Sequence, residues 1–286
     1  MSKVFNMVSG GGKNISSIVI TGLKSTDTVT CTKDGKTYPA TWDETAQHFE
    51  ILGLPLGTFT ITATKSGSIK TETVLIDIAG VYEIEFSLIP SEYAQLEYIQ
   101  STGTQYINSE YYTTEKFGIK AVVQWTDIPS SGGFIYNAIG SSRNGPYNSI
   151  ALDNNRGDNV KYIAFGCKTG SGWYKPDDET EKQDIRANYN GDGQLVFNDS
   201  IKLTSGFLFN TADYPLYIFA TSNNNSVERF AKMKLYELEF TEDNATVHHY
   251  IPCKRKSDSV VGLYDIITDT FLVNSGSGTF GAGNPV

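Results

Sequence analysis

The residues that could carry enzyme chemistry form one short acidic run, ELEFTE, at residues 237–242. Cleavage of a glycosidic bond with retention needs two carboxyl groups about 5–5.5 Å apart, one as nucleophile and one as acid/base. Glu237 and Glu242 are the candidate pair, but side chains alternate along a strand, which places these two on opposite faces. Only a bulge would bring them together. We therefore predict that the protein is not an enzyme, and keep a jelly-roll glycoside hydrolase as an alternative.

The same run also fits an ordinary half-buried strand, and this interpretation is favoured. Tyr236, Leu238 and Phe240 would then face the core, because they alternate with polar neighbours. Glu237 and Glu239 would face water on the other side of the strand. Under this interpretation the two carboxylates are surface groups without a catalytic role.

The three histidines do not indicate a hydrolase or a metal site. His48 is isolated, and His248 and His249 are adjacent, without a G-x-S-x-G motif anywhere in the chain. The adjacent pair is expected near a strand end, with one ring inside and one outside. A metal site would need further ligands nearby, which the sequence does not indicate.

Clusters of asparagine and aspartate could hold Ca²⁺, which takes hard oxygen ligands. No cluster has the spacing of an EF-hand, and such residues are first of all turn formers. No cofactor is therefore required, and Ca²⁺ stays open as a ligand. The predicted calcium ligands are Asp153, Asn155 and Asp158 in the run DNNRGD, with similar chemistry at 177–179 and 223–225.

Two stretches have the composition of a sugar-binding surface. Sugars stack on exposed aromatic faces, and planar amides and carboxylates bind their hydroxyl groups. These residue types occur in GCKTGSGWYKPDD (166–178) and SSRNGPYN (141–148), and the predicted glycan-binding residues are Trp173, Tyr174, Arg143, Asn144 and Tyr147. The alternative for Trp173 is that its ring folds back onto the rim of the domain. Trp125, within an apolar strand, is expected in the core.

Composition and charge restrict the class of protein. The chain has 286 residues, 39% of them hydrophobic, and a formal net charge of −9. This composition predicts a globular protein, and its charge argues against binding to nucleic acid or anionic membranes. No stretch reaches the roughly 18 apolar residues of a membrane span, so membrane insertion is not expected. The three cysteines, Cys31, Cys167 and Cys253, are expected to be free buried thiols; a bridge between Cys167 and Cys253 is the alternative.

The first 16 residues read as a flexible, Gly-rich lead without the apolar region of a secretory signal peptide. From Ser17 the pattern changes to period two. Short runs rich in Val, Ile and Thr, such as SIVITGL and GTFTITAT, alternate with turn sequences such as KDGK. This pattern predicts a small β-sandwich over residues 17–89.

GLPLGTFTITATKSG (53–67) and TETVLIDIAGVYEIEFSL (71–88) resemble the last strands of Ig-like or carboxypeptidase-regulatory-like modules of bacteria and phages. The resemblance implies an Ig-like fold and a spacer role. Residues 90–93 are expected to be a linker. Residues 94–286 carry about a dozen further short strands and no helical pattern, which is the composition of a two-sheet jelly roll.

LEYIQSTGTQYINSEYY (96–112) resembles the opening strands of concanavalin A-like or laminin G-like modules. NAIGSSRNG (137–145), YPLYIFATSNNNSVERFAKMKLYELEF (214–240) and HHYIPCKRKSDSVVGLYDIITDTFLVNSGSGTFGAG (248–283) resemble later strands of the same family. The chain is thus predicted to be all-β, a small Ig-like sandwich followed by a concanavalin-like jelly roll.

The resemblance implies a surface protein of gut bacteria or their phages. Adhesive modules without an export signal are expected in a phage virion, which assembles in the host cytoplasm and is released by lysis. We expect a tail or head-fibre protein on the virion surface, a homo-oligomer joined to other virion proteins by its N-terminal lead and binding host or mucosal glycans. The alternatives are a capsid decoration protein without a glycan site, the glycoside hydrolase above, and a bacterial adhesin exported by another route.

Overall fold

The protein was analysed as a computed structural model that describes residues 16–65, 68–86, 89–127, 135–142, 147–153, 162–167, 170–176, 180–189, 191–203, 206–224 and 226–286. All regular elements in these ranges are β-strands, so the expected all-β class is confirmed. No helix in the described part of the chain is long and apolar enough to span a membrane. The chain divides into two compact units, Met1–Ser91 and Glu92–Val286.

The first unit is a sandwich of two four-stranded sheets. One sheet has the order β4-β5-β1-β8 and the other β3-β2-β6-β7, with β1 and β8 parallel. The strands are β1 (Ser16–Thr21), β2 (Thr28–Lys33), β3 (Lys36–Tyr38), β4 (Thr41–Asp43), β5 (His48–Leu54), β6 (Gly57–Lys65), β7 (Ser68–Ile76) and β8 (Val81–Glu85).

Apolar side chains at alternate positions of the strands form the core of this unit. Ile18 and Ile20 in β1 and Phe59 and Ile61 in β6 have no exposed surface, and they belong to one apolar cluster between the two sheets. The outward positions of β2, β3, β6 and β7 are rich in threonine. Thr37, Thr32, Thr60 and Thr73 are direct neighbours across these four strands. Cross-strand pairs of this kind stabilise a sheet, which explains the T-x-T pattern of the sequence.

The second unit is a larger sandwich whose strands are scattered along the sequence. They are β9 (Tyr93–Gln95), β10 (Ile99–Thr102), β11 (Ile107–Asn108), β12 (Phe117–Trp125), β13 (Ile135–Ser142), β14 (Tyr147–Asp153), β15 (Tyr162–Cys167), β16 (Gly170–Tyr174), β17 (Gln183–Ala187), β18 (Leu195–Phe197), β19 (Ser200–Leu203), β20 (Tyr217–Ile218), β21 (Thr221–Asn223), β22 (Ser226–Glu228), β23 (Lys232–Glu242), β24 (Ala245–Arg255), β25 (Val261–Asp265), β26 (Thr270–Val273) and β27 (Gly281–Ala282).

Two sheets enclose the core of the second unit. The larger sheet has the order β19-β18-β17-β12-β23-β24-β25-β26, with β9, β10 and β27 attached at its side, and the smaller contains β11-β20-β13-β14-β15-β16 with β21 and β22. Buried residues of both sheets, such as Phe240 and Phe165, belong to one apolar cluster. Trp125 is 1% exposed within it, which confirms its predicted place in the core.

A bulge in β23 changes the predicted orientation of one residue. Val122 of β12 lies opposite Glu237 but Val123 lies opposite Leu235, so Tyr236 is an extra residue in the pairing. The expected inward position of Tyr236 is therefore wrong. Its hydroxyl donates to Gln124 Oε1 at 2.7 Å on the outer side of the sheet, while Leu238 is buried in the core as predicted.

The described cysteines are free and buried. Cys31 lies in the core of the first unit and Cys253 in β24, and neither has any exposed surface. The side chain of Cys167 lies outside the described residues. Cys253 forms no disulfide, so it is a free thiol as predicted and the alternative bridge to Cys167 is not formed. Burial raises the pKa of Cys31 to about 11 and that of Cys253 to about 12.

We expect neither of these two thiols to react with a thiol reagent in the native protein. The thiolate is the reactive form, and at neutral pH both burial and a raised pKa suppress it. In a Cys167→Ser background, mass spectrometry of labelled peptides should find modification of Cys31 and Cys253 only after denaturant is added. Rapid labelling of either one before denaturation would contradict this structure.

Candidate functional site

The outer face of the larger sheet carries a row of ionisable side chains. Lys120 in β12 lies opposite Arg186 in β17 on one side and opposite Glu239 in β23 on the other. His249 in β24 lies opposite Glu239 in turn. Because all four face away from the core, the register of four strands places two cations, a carboxylate and an imidazole side by side.

The centre of this row is a tightly paired cluster. Lys120 Nζ lies 3.1 Å from Glu237 Oε2 and 3.1 Å from Glu239 Oε1, while His249 Nε2 lies 3.3 Å from Glu237 Oε1. The hydroxyl of Tyr189 donates to Glu239 Oε2 at 2.5 Å. Glu239 is only 3% exposed and His249 only 2%. The expectation that Glu239 faces water is therefore wrong, because Tyr189 and neighbouring strands cover it.

Charge pairing fixes the ionisation of this cluster. Burial alone would raise the pKa of Glu237, but the hydrogen bond from His249 and the charge of Lys120 outweigh it and lower the pKa to about 2. Burial alone would lower the pKa of Lys120, but the two glutamates outweigh it and raise the pKa. Burial and the bond to Glu239 raise the pKa of Tyr189. Glu237 and Lys120 are thus both charged at neutral pH.

A groove of about 410 Å³ adjoins the cluster on the same face of the sheet. Its size lies within the range typical of small-ligand sites. Apart from Val196, its walls are aromatic, amide or charged groups. It is lined by Lys120, Arg186, Tyr189, Asp192, Gln194, Val196 and Asp199.

The loop between β17 and β18 supplies one wall of the groove and is held close to β12. The buried Asn188 donates from Nδ2 to the Phe117 carbonyl at 2.8 Å and accepts from the Gly193 amide at 2.9 Å. A Cβ atom at Gly118 would lie 2.1 Å from the Asn188 carbonyl oxygen. Only glycine therefore lets this loop cross over β12, and the crossing brings Tyr189 to the groove.

Arg186 lines the groove and is paired with two aspartates. Its Nε and Nη2 bond to the two carboxylate oxygens of Asp184 at 3.2 and 2.8 Å, and Nη2 also bonds to Asp199 at 2.8 Å. Arginine held in this bidentate way is fixed in orientation. The groove thus presents a guanidinium and a tyrosine ring that are both held by hydrogen bonds, together with the side-chain amide of Gln194.

Glu237 and Glu242, the candidate carboxyl pair of a retaining glycosidase, lie on opposite faces of β23. Glu242 lies on the core-facing side of β23, where its carboxylate accepts hydrogen bonds from the hydroxyls of Tyr111 and Thr114. Glu237 lies on the outer side, as alternation predicted. Glu237, with its pKa near 2, also cannot serve as a general acid near neutral pH.

Two groups of side chains among the described residues have metal-ligating composition. Glu237, Glu239 and His249 place one ligand atom each within 4.8 Å of one another. The ammonium group of Lys120 already bridges both carboxylates, so a metal ion would have to displace it. The second group is Asp43, His48 and Glu50 in the first unit, where His48 Nε2 pairs with Glu50 at 3.0 Å.

Tyr174, one of the predicted glycan residues, does not line this groove. Tyr174 is half-buried at the end of β16, and its ring stacks on Phe197 with 4.5 Å between centroids. Trp173 precedes it in β16 and pairs through its backbone with Ala164. Tyr147 and Asp153 are the first and last residues of β14. The remaining predicted residues, Arg143, Asn144, Asn155 and Asp158, lie outside the described residues.

Sequence reasoning missed the groove residues of the second unit. Tyr189, Asp192 and Gln194 belong to the segment NYNGDGQ, which combines an aromatic ring with glycine, amides and a carboxylate. Residues 166–178 have the same composition, so the criterion that predicts a sugar-binding surface there applies equally to this segment. No pattern in the sequence indicates that Lys120 and Arg186 lie beside it.

In comparisons with known proteins, no family model matches the sequence and no curated protein matches it. The resemblances to Ig-like and concanavalin-like modules therefore stay predictions. Function has to be argued from the site itself.

Proposed function

We propose that the protein is a virion surface protein, a component of a tail or head fibre, whose second unit binds glycans of the host surface or of mucus. The first unit would be an Ig-like spacer and the second a concanavalin-like lectin module. The N-terminal lead, of which residues 1–15 lie outside the described residues, would join the protein to other virion proteins.

The groove on the outer face of the larger sheet carries this proposal. Sugar sites combine an aromatic surface for the ring with fixed planar groups for the hydroxyls. Tyr189 supplies the aromatic surface, and Gln194 and Arg186 supply planar donors, all lining one concave surface. A shallow site of this kind binds weakly, and display in many copies on a virion would multiply its strength.

A glycan array probed with the full-length protein, displayed multivalently and with and without Ca²⁺, tests the proposal. We expect binding to at least one glycan class and its loss in Tyr189→Ala and Gln194→Ala. Tyr112→Ala is the matched control, because Tyr112 is 52% exposed and does not line the groove. Thermal unfolding of each variant separates loss of binding from loss of folding.

The outcomes distinguish the proposal from its alternatives. Loss of binding in Trp173→Ala and Tyr174→Ala, with Tyr189→Ala unchanged, would move the site to the predicted stretch 166–178. Binding that requires Ca²⁺ would point to the clusters around Asp153. Absence of binding at multivalent display would favour a structural decoration protein without a glycan site.

A further inference from the structure

We infer that the groove selects saccharides without acidic groups, and that neutral or amino sugars are its ligands. The inference rests on the proposed glycan-binding function and deepens it. It follows from how the cations of the groove are already paired, and from the surplus of carboxylates around them.

The positive charge of Lys120 is already paired with two carboxylates and is not available to an acidic ligand. Its ammonium group lies at 3.1 Å from both Glu237 and Glu239, so two carboxylates surround one cation. A sialic acid or uronic acid could reach Lys120 only by displacing one of them. Glu239 is 3% exposed and is also held by Tyr189, so displacement would leave a buried carboxylate without its partner.

Arg186 is paired in the same way. Asp184 accepts two of its N–H groups and Asp199 accepts another. A guanidinium has five N–H donors, so the bonds to Asp184 and Asp199 leave donors for a hydroxyl group of a ligand. Its charge, however, is already balanced by two carboxylates.

The charge of the whole site is therefore negative. Lys120 and Arg186 are the two cations of the groove, and Asp192 and Asp199 line it as well. The partners Asp184, Glu237 and Glu239 add three further carboxylates. Leaving His249 out of the count, two cations stand against five carboxylates, a formal charge of about −3. Such a site repels an acidic sugar and accepts a hydroxyl or an ammonium group.

Paired glycans test this inference on the full-length protein. Each neutral oligosaccharide is compared with the same oligosaccharide carrying a terminal sialic acid, a uronic acid or a sulfate group. We expect the acidic member of each pair to bind at least about tenfold more weakly at low salt. Binding of the neutral member should change little with salt, since screening acts on charged ligands.

Asp199→Asn tests the origin of this preference. Asp199 has a positive φ of 60°, which asparagine adopts readily, and its side chain is 82% exposed, so the fold should be retained. We expect the ratio of the affinity for the acidic saccharide to the affinity for the neutral one to rise about threefold to tenfold at low salt. Asp258→Asn is the control, because it removes the same charge from the turn after β24, where Asp258 pairs with Arg255.

The outcomes distinguish a failure of this inference from a failure of the proposed glycan-binding function. Equal or stronger binding of acidic saccharides overturns the inference and leaves the glycan-binding function standing. An equal effect of Asp199→Asn and Asp258→Asn would show that net charge, rather than the groove, sets the preference, which also overturns it. Absence of binding to either member of every pair overturns the proposed function and the inference together.

Discussion

Replacing Lys120 with methionine is expected to destabilise the second unit by about 3–5 kcal/mol, the usual cost of removing one partner of a buried ion pair. Methionine retains much of the side chain's length but leaves Glu237 and Glu239 without their shared cation. Urea unfolding followed by tryptophan fluorescence measures the loss. A Trp42→Phe background restricts the signal to the second unit, because the other tryptophans are Trp125 and Trp173.

Lys116→Met is the matched control. Lys116 pairs with Asp243 at 2.9 Å, but the two side chains are 64% and 69% exposed, so only a small loss of stability is expected. The effect of pH gives an independent test. Glu237, whose pKa is lowered from 4.5 to about 2, contributes stability that is present above pH 4.5 and is lost as pH falls towards 2. Because Lys120 is one cause of this lowered pKa, the loss of stability in acid should be smaller in Lys120→Met than in the native protein. Similar losses for the two lysine variants at neutral pH, or an unchanged loss of stability in acid, would contradict a buried cluster.

Replacing Asp265 with alanine is expected to cost about 4 kcal/mol, because one buried backbone amide and several partly buried donors would lose their acceptor at once. Asp265 has no exposed surface at the end of β25. Its carboxylate accepts from the backbone amides of His249 and Ile267 at 3.0 and 3.1 Å and from the Thr268 hydroxyl at 2.7 Å. It also lies 2.6 Å from His248 Nδ1.

Asp265→Asn should cost about half as much, since the amide oxygen can still accept from the backbone while the charge is lost. Asp269→Asn is the control in the same turn; Asp269 is exposed, and asparagine suits its φ of 55°. Burial alone would raise the pKa of Asp265, but the bonds from His248 and Thr268 outweigh it and lower the pKa. Its contribution is therefore present above pH 3.8 and is lost as pH falls below that value. An alanine variant as stable as the Asp269 control would refute this role.

Local patterns in the sequence were sufficient to predict much of the fold. Period-two alternation predicted an all-β chain, the burial of Trp125 and Leu238, and the placement of Glu237 and Glu242 on opposite faces of one strand. It also predicted that one of His248 and His249 points inward: His248 stacks on Tyr250, while His249 faces Glu237 on the outer side. These properties depend on neighbours a few residues away, which the sequence displays directly.

The same local rule failed at Tyr236, and the reason is physical. Alternation holds only while the pairing is regular, and the bulge opposite Val122 and Val123 inserts one residue into β23. A bulge depends on how β23 packs between its neighbours, which no local pattern reports. The burial of Glu239 was missed for a similar reason, because Tyr189 covers it from a loop some 50 residues away.

The amino-acid pattern is therefore enough to predict that this protein consists of β-sheets with alternating faces, because alternation is a property of each strand alone. Which strands are neighbours, and in which register they pair, depends on contacts between distant parts of the chain. That register places Arg186, Lys120, Glu239 and His249 in one row, although the chain between them contains many other strands. A site assembled by hydrogen bonding between distant strands has no characteristic spacing of residues in the sequence. The groove can therefore be recognised only in the folded chain.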